Sequence, residues 1–486
     1  MLIALFLAFI ILAIIRHFFK LRNLCPGPPS IPLLGALRFL FRASDPKEFI
    51  DKSLLRYGKV VRIVYGMLRF HVINDFSVAK DLFNRDTTAH RPVNWYLKEV
   101  KGYRGQVLGI IGTSGPLWTE QRRFALKNLR DFGFGRKGLD HVIQDEASQL
   151  VQSLLSESRN FSHEVLISNT FNAPIINVLW QIVASNRFEP GEKSTIEMME
   201  KLSEQFKARM KVIDFIPFLR PYLPLPKTSR SVLEFKDMIR KEVENHEVDH
   251  DPNIPARDFI DVYLTEIKRS KESGDANFHK EQLVTVCLDF FQAGAETSST
   301  TLTWFVMFMA LNPDVQERCF QEIKQIIGNA PPRLDHMKEL NYVHATMLEV
   351  QRMSATAPTS LIHATTEDIK VDDFIIPKKS LLMANLKLFL NDQKAFPNPE
   401  LFNPSRFLDS GGLITKPEEF VPFGLGRRIC MGDSLAKSEI FIFMVMILQK
   451  IKISVSKQDG PPDPSKYTIG ITSIPDPFHV AMALRN

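Results

Sequence analysis

Most of the chain repeats its apolar residues at the three-to-four spacing of a helix with one buried face. That spacing predicts helices over 117–130, 141–157, 194–210, 230–247, 280–311, 313–327, 340–353 and 433–449. A different period governs KVVRIVYGMLRFHVIND, residues 59–75, where β-branched and aromatic residues alternate around Gly66 and predict a hairpin. Shorter strand-like runs return at 369–376, 380–386 and 451–455, and no repeat or low-complexity tract interrupts the pattern. The class is therefore mainly α with a minor β-sheet, and 486 residues are too many for a simple bundle.

Two apolar segments break the helical period. Residues 1–15, MLIALFLAFIILAII, carry no charge and are followed at once by Arg16, His17, Lys20 and Arg22. Fifteen helical residues reach roughly 22 Å, short of a hydrocarbon core of about 30 Å. Phe18 and Phe19 extend the run, and the long stem of Arg16 snorkels. No positive segment precedes it and no small-x-small cleavage site follows, so an uncleaved anchor over 1–19 is expected in membrane lipid, with the remainder on the cytosolic side. Residues 20–35, basic and then proline-rich, form a stiff hinge, and 36–486 form the catalytic body. The second segment, VIDFIPFLRPYLPLP (212–226), is either a buried loop or a further contact with the bilayer surface.

Charge and cysteine content narrow the partners. The chain has 61 Lys+Arg against 55 Asp+Glu, a surplus of +6, and no basic run that would bind nucleic acid. Cys25, Cys287, Cys319 and Cys430 lie far apart, which argues against a disulfide framework and for a reducing compartment.

The most specific chemistry lies in FVPFGLGRRICMGDSLA, residues 420–436, with Phe423, Gly426, Arg428, Cys430 and Gly432 in the order F-x-x-G-x-R-x-C-x-G. Average composition produces such a match in on the order of one chain in 10⁴. A lone cysteine between glycines and just before a helix suits a thiolate: the glycines let a flat ligand approach, and the helix N-terminus stabilises negative charge. Arg428 is placed to pair with an acidic group on that ligand. Upstream, the apolar helix over 280–311 contains Asp289 and Glu296, each costing about 2.5–3.5 kcal/mol at a bilayer centre, so it reads as a core helix and not a second span. Within it, the Thr297 hydroxyl is expected to turn back to the carbonyl of Ala293 and open a local groove.

These motifs, taken together, resemble the cytochrome P-450 superfamily, in its microsomal drug- and hormone-oxidising branch. AGAETSS (293–299) is similar to the family's oxygen-activation stretch, EVQR with NPSRF to its Glu–Arg–Arg cluster, and WTEQRR and PTSLIH to segments that hold the haem propionates. The family's fold, behind an N-terminal anchor helix, is what the resemblance implies for the body. It also implies haem b with the Cys430 thiolate on iron, and Thr297 with Glu296 as the catalytic acid–alcohol pair. Arg428, Trp118, Arg122 and His363 are then propionate partners, and Phe423, Gly424, Gly432, Ala293 and Gly294 lie against the cofactor. Glu349, Arg352 and Arg406 are expected to hold the fold.

No dinucleotide fingerprint is present, so electrons must come from another protein. The resemblance implies an NADPH-cytochrome reductase of the endoplasmic reticulum, with cytochrome b5 as a further partner. Lys127, Arg130, Arg136, Lys137, Arg427 and Lys437 are the expected docking cations. Pocket walls are expected to include Ile110, Phe215, Phe291 and Ile474, without a carboxylate clamp, for a lipophilic substrate. The texture resembles arthropod members, which brings terpenoid or steroid hormones into view beside xenobiotics. Three departures stand out: Pro377-Lys378-Lys379-Ser380 for a Pro-Lys-Gly-Thr turn, Phe396 for Trp, and Asp433 for Glu. Two other readings remain: a haem-thiolate isomerase or dehydratase, which needs no external electrons, and a haem-based gas sensor or lipid-binding protein, which consumes no NADPH.

Overall fold

The computed structural model describes residues 24–30, 55–65, 68–131, 139–159, 161–188, 226–274 and 276–485, with Leu12, Tyr222 and Pro224 as single residues. The expected anchor, most of the hinge, the helix over 194–210 and nearly all of 212–226 lie outside the described residues, as do Arg136, Lys137 and Phe215. No helix among the described residues is long and apolar enough to cross a membrane.

Twelve helices are described. They are α1 (Phe76–Asn84), α2 (Trp95–Lys101), α3 (Gly115–Asp131), α4 (Asp140–Ser158), α5 (Asn172–Ala184) and α6 (Lys227–Asp249). The second half holds α7 (Phe259–Ser273), α8 (Lys280–Leu311), α9 (Pro313–Ile326), α10 (Asn341–Ser354), α11 (Leu386–Leu390) and α12 (Asp433–Lys450). The strands are fewer and short. β1 (Val60–Tyr65) and β2 (Leu68–Ile73) form the expected hairpin, and β2 continues in parallel onto a later strand, Leu381–Ala384. At the C-terminus, Ile451–Val455 pairs with Phe478–Leu484, which pairs in turn with Glu164–Ile167. The mainly helical class with minor sheets holds.

The centre of the molecule is α8. His279 caps its start, its ring accepting from the amide of Gln282, and Asn312 followed by Pro313 ends it and begins α9. α5, α6, α10 and α12 all pack on it, and most of its side chains are buried. A helix covered on all sides tolerates apolar residues all round, which is why its composition resembled a membrane span. The same reasoning explains a missed element: α5 (NAPIINVLWQIVA) is apolar on nearly every face and offers no period to read.

The Glu–Arg–Arg cluster forms at the end of α10. Both oxygens of Glu349 accept from Arg352, at 2.8 and 2.9 Å, and Arg406 reaches Oε1 at 3.2 Å. Arg352 also donates to the carbonyls of Leu390 and Pro399, and Arg406 to that of Pro397. Phe396 takes over the aromatic position beside this cluster, its ring centroid 5.5 Å from the Arg352 guanidinium. In the altered turn, Lys379 has φ +63°, a conformation that explains the glycine usual there.

Two imidazoles, His71 and His363, are buried and a third, His344, is half-buried. Burial holds His71 and His363 down to about 3 and His344 to about 4, with nearby cations contributing. These groups are neutral when folded and bind protons near pH 6.5 when unfolded, so the unfolded chain gains protons first and stability falls as pH drops below 6.5. The slope is up to about 1.4 kcal/mol per pH unit for each histidine. His71 is fully buried with neither ring nitrogen hydrogen-bonded. His71→Leu is therefore expected to flatten the fall in urea midpoint between pH 7.5 and 5.5; an unchanged slope would mean this histidine does not contribute.

Candidate active site

Residues 421–432 form a looped segment on which the cysteine is held by backbone geometry. The amide of Cys430 donates to the carbonyl of Phe423 at 3.0 Å, closing the loop. Gly426 has φ +75° and packs so closely on α1 that a Cβ would lie 2.2 Å from the carbonyl oxygen of Phe83, so only glycine fits. Gly424 also has a left-handed φ, with open space around it. Gly432 caps α12 and its amide hydrogen-bonds toward the Cys430 sulfur.

Cys430 is exposed, yet the surrounding protein raises its thiol pKa above the ordinary value, against the Gly432 amide and the cations Arg122 and Lys437. Both properties together describe a thiol opening into a concavity within the protein. Left alone it stays protonated. A metal cation on the sulfur would displace the proton.

Cations converge beside it. The Arg428 guanidinium donates to the carbonyls of Ala89 (2.8 Å), Ile110 (3.3 Å) and Thr113 (2.5 Å) and lies 3.8 Å from the Trp118 ring centroid. Arg122, one turn after Trp118 on α3, donates to the carbonyl of Ile429 at 2.7 Å. Arg91 donates to the carbonyls of Leu361 and Ile362. Burial pulls Arg428 down to about 8 and Arg91 to about 10, each with neighbouring arginines adding to it. Arg122 is lowered by burial as well. None of the three forms an ion pair with a carboxylate among the described residues. His363 Nδ1 pairs with the carbonyl of Thr88 at 2.8 Å, which leaves Nε2 for another group. Trp118 Nε1 and Arg91 Nε are buried without partners.

A half-buried cluster of like charges with orphaned donors is unfavourable unless an anion completes it. Carboxylates of a flat cofactor whose metal meets Cys430 satisfy that requirement, and the donor set fits haem. Arg91 was not singled out from the sequence. It stands in a loop beside a proline, and nothing in its spacing distinguishes it from a solvated cation.

α8 supplies the other wall. Ala293 is exposed in the middle of this buried helix and Thr297 is half-buried. The Thr297 hydroxyl donates to the carbonyl of Ala293 at 2.8 Å, as the sequence suggested. Glu296 is buried beside them. At Gly294 a Cβ would lie 2.7 Å from Leu179 Cδ1, so its missing side chain admits α5. Phe291 is likewise buried in the core, between Trp180 and Phe235, and does not form a pocket wall. Ile110 is buried and Ile474 half-buried. Asp289 accepts from Lys101 and from the amides of Ile110 and Ile111, so it is not available to a cationic substrate.

Of the described docking cations, Lys127 and Arg130 are exposed on α3, while Arg427 pairs with Asp86 and Lys437 with Asp433. A second group, His246, Asp258 and Asp261, has ligand atoms within 4.8 Å of one another. His246 holds Asp258 at 3.0 Å and Arg257 holds both oxygens of Asp261, so these residues are already paired as an internal brace.

Residues 25–482 match the family model for Cytochrome P450. The chain is 34% identical to Cytochrome P450 2D26 of Mus musculus, over 95% of this chain and 93% of that protein. It is 32% identical to Cytochrome P450 2C23 of Rattus norvegicus, over 98% and 97%, and 33% identical to Cytochrome P450 2C16 of Oryctolagus cuniculus, over 94% and 93%. With that match spanning nearly the whole sequence and a cysteine opening into a cationic concavity, this chain belongs to the cytochrome P450 family and is a haem-thiolate monooxygenase acting on lipophilic substrates.

Proposed function

We propose that the chain hydroxylates or epoxidises a terpenoid or steroid hormone, or xenobiotics, at the endoplasmic reticulum membrane. The expected anchor over 1–19 would hold it there, with the body facing the cytosol. Electrons come from NADPH through a partner reductase, with cytochrome b5 as an auxiliary donor, and Lys127 and Arg130 offer an exposed basic face to an acidic partner. The observation that carries the site assignment is the cationic concavity of Arg91, Arg122 and Arg428 around an exposed Cys430.

In this reading Cys430 ligates the haem iron, and haem when bound supplies oxygen activation, which thiolate donation favours. Arg91, Arg122, Arg428, His363 and the Trp118 indole hold the propionates. Phe423, Gly424 and Gly432 belong to the loop that carries Cys430, and the small, exposed Ala293 would leave room for the cofactor on α8. Thr297 holds a hydroxyl at the groove with its proton directed to the carbonyl of Ala293, and Glu296 is the neighbouring acid that resupplies protons. The intact pair at 296 and 297 favours oxygen insertion over the electron-free isomerase reading.

The test is a haem-absorbance titration of purified holoenzyme with terpenoids, steroids, fatty acids and plant xenobiotics. A lipophilic ligand that enters the site is expected to shift the haem absorbance band, and responders should be turned over with reductase and NADPH. Responders that consume no NADPH and yield no oxygenated product would overturn the reading.

A further inference from the structure

Two features of the site meet on one short segment. Residues 108–113 run between the strand Gln106–Val107 and α3, and they supply two of the three carbonyls that aim the Arg428 guanidinium, those of Ile110 and Thr113. The same segment is fastened from the opposite side by α8. Gln282 clasps Gly109 twice, accepting from its amide at 3.1 Å and donating to its carbonyl at 3.2 Å. Asp289, two turns further along α8, accepts from the amides of Ile110 at 2.5 Å and Ile111 at 2.8 Å, while its other oxygen is held by the buried Lys101 ammonium. The peptide of Ile110 thus has its amide on Asp289 and its carbonyl on Arg428.

The approach is too close for any other residue at position 109. Gly109 has φ +89°, and a Cβ there would lie 2.4 Å from Asp289 Oδ2 and 3.1 Å from Thr285 Cγ2. Thr113 tightens the turn by donating to the carbonyl of Gly109 at 2.8 Å. A surface loop needs none of this. A carboxylate and an ammonium taken fully out of water, together with a glycine that only close contact explains, belong to a segment whose position matters.

We infer that Asp289 is a positioning residue for the haem: through residues 109–113 it sets the carbonyls that orient Arg428, and so controls how firmly the propionate is held. The inference rests on Arg428 being a propionate partner. It assigns Asp289 no contact with substrate or cofactor. Lys101 and Gln282 hold Asp289 and the segment in register.

The test measures haem transfer from ferric holoenzyme to excess apomyoglobin, in wild type, Asp289→Asn, Arg428→Lys and the double variant. Asp289→Asn is expected to lose haem at least 10-fold faster while the reduced carbon-monoxide complex keeps its thiolate-type band. The two substitutions should be non-additive, the double variant losing haem no faster than Arg428→Lys alone, because they interrupt one path. Additive effects mark general loosening of the fold and overturn the inference, as does wild-type haem loss in Asp289→Asn. Gln282→Leu, which removes only the clasp on Gly109, supplies a milder variant should Asp289→Asn fold poorly. It is expected to lose haem about 3-fold faster, and the wild-type rate would overturn the inference. If wild type itself binds no haem, the site assignment fails, which is distinct from a haem-loaded wild type beside an indifferent Asp289→Asn.

Discussion

Glu349→Ala is expected to destabilise the fold by about 3–5 kcal/mol. The carboxylate lies fully buried and accepts four hydrogen bonds: two from Arg352, one from Arg406 and one from the amide of Asn403 at 2.8 Å. Its removal strands two guanidiniums, one with a fully buried side chain, at a cost of about 3–5 kcal/mol. That is a large fraction of the roughly 5–15 kcal/mol that holds a typical domain together. Surface i, i+3 pairs, worth about 0.2–0.5 kcal/mol, are no guide here. Glu349→Gln keeps the shape and loses the charge, so it should also be severely destabilised. Soluble yield and the urea midpoint by circular dichroism check this. A variant with a near-wild-type midpoint would show that the guanidiniums find water or another acceptor.

Thr297→Ala should separate electron consumption from product formation. The hydroxyl donates to the carbonyl of Ala293, on the stretch of α8 where Ala293 is exposed. Alanine leaves that carbonyl without its side-chain donor and removes the alcohol from the groove. NADPH oxidation should continue while product per NADPH falls about 10-fold, less than the roughly 10²–10⁴-fold of a sole proton donor because Glu296 remains, with peroxide rising to balance the electrons. Thr297→Ser retains the hydroxyl and should restore most of the coupling. Undiminished product without peroxide would remove Thr297 from the chemistry.

Much of this site was legible in the sequence because the chemistry is packed into short local motifs. The spacing of Phe423, Gly426, Arg428, Cys430 and Gly432 follows from one closed loop, so adjacent residues carry it. The bounds of α8 were also readable, since a cap and a proline mark its ends. What could not be read was distant pairing. Lys101 sits in a charged run that looks solvated, yet it is buried against a residue 188 positions away. Arg91 gains its meaning from Arg428 and His363, which lie hundreds of residues further on. Gly294 is one of the small residues that the resemblance places against the cofactor. Only the structure shows that its missing side chain admits Leu179 of α5.

The most direct measurement is the absorption spectrum of the reduced chain under carbon monoxide, taken beside Cys430→Ser. Wild type is expected to show the red-shifted band of a thiolate-ligated haem, and the variant to lose that band while its circular dichroism persists. A well-folded wild type that binds no haem, or a band unchanged in Cys430→Ser, would contradict the account.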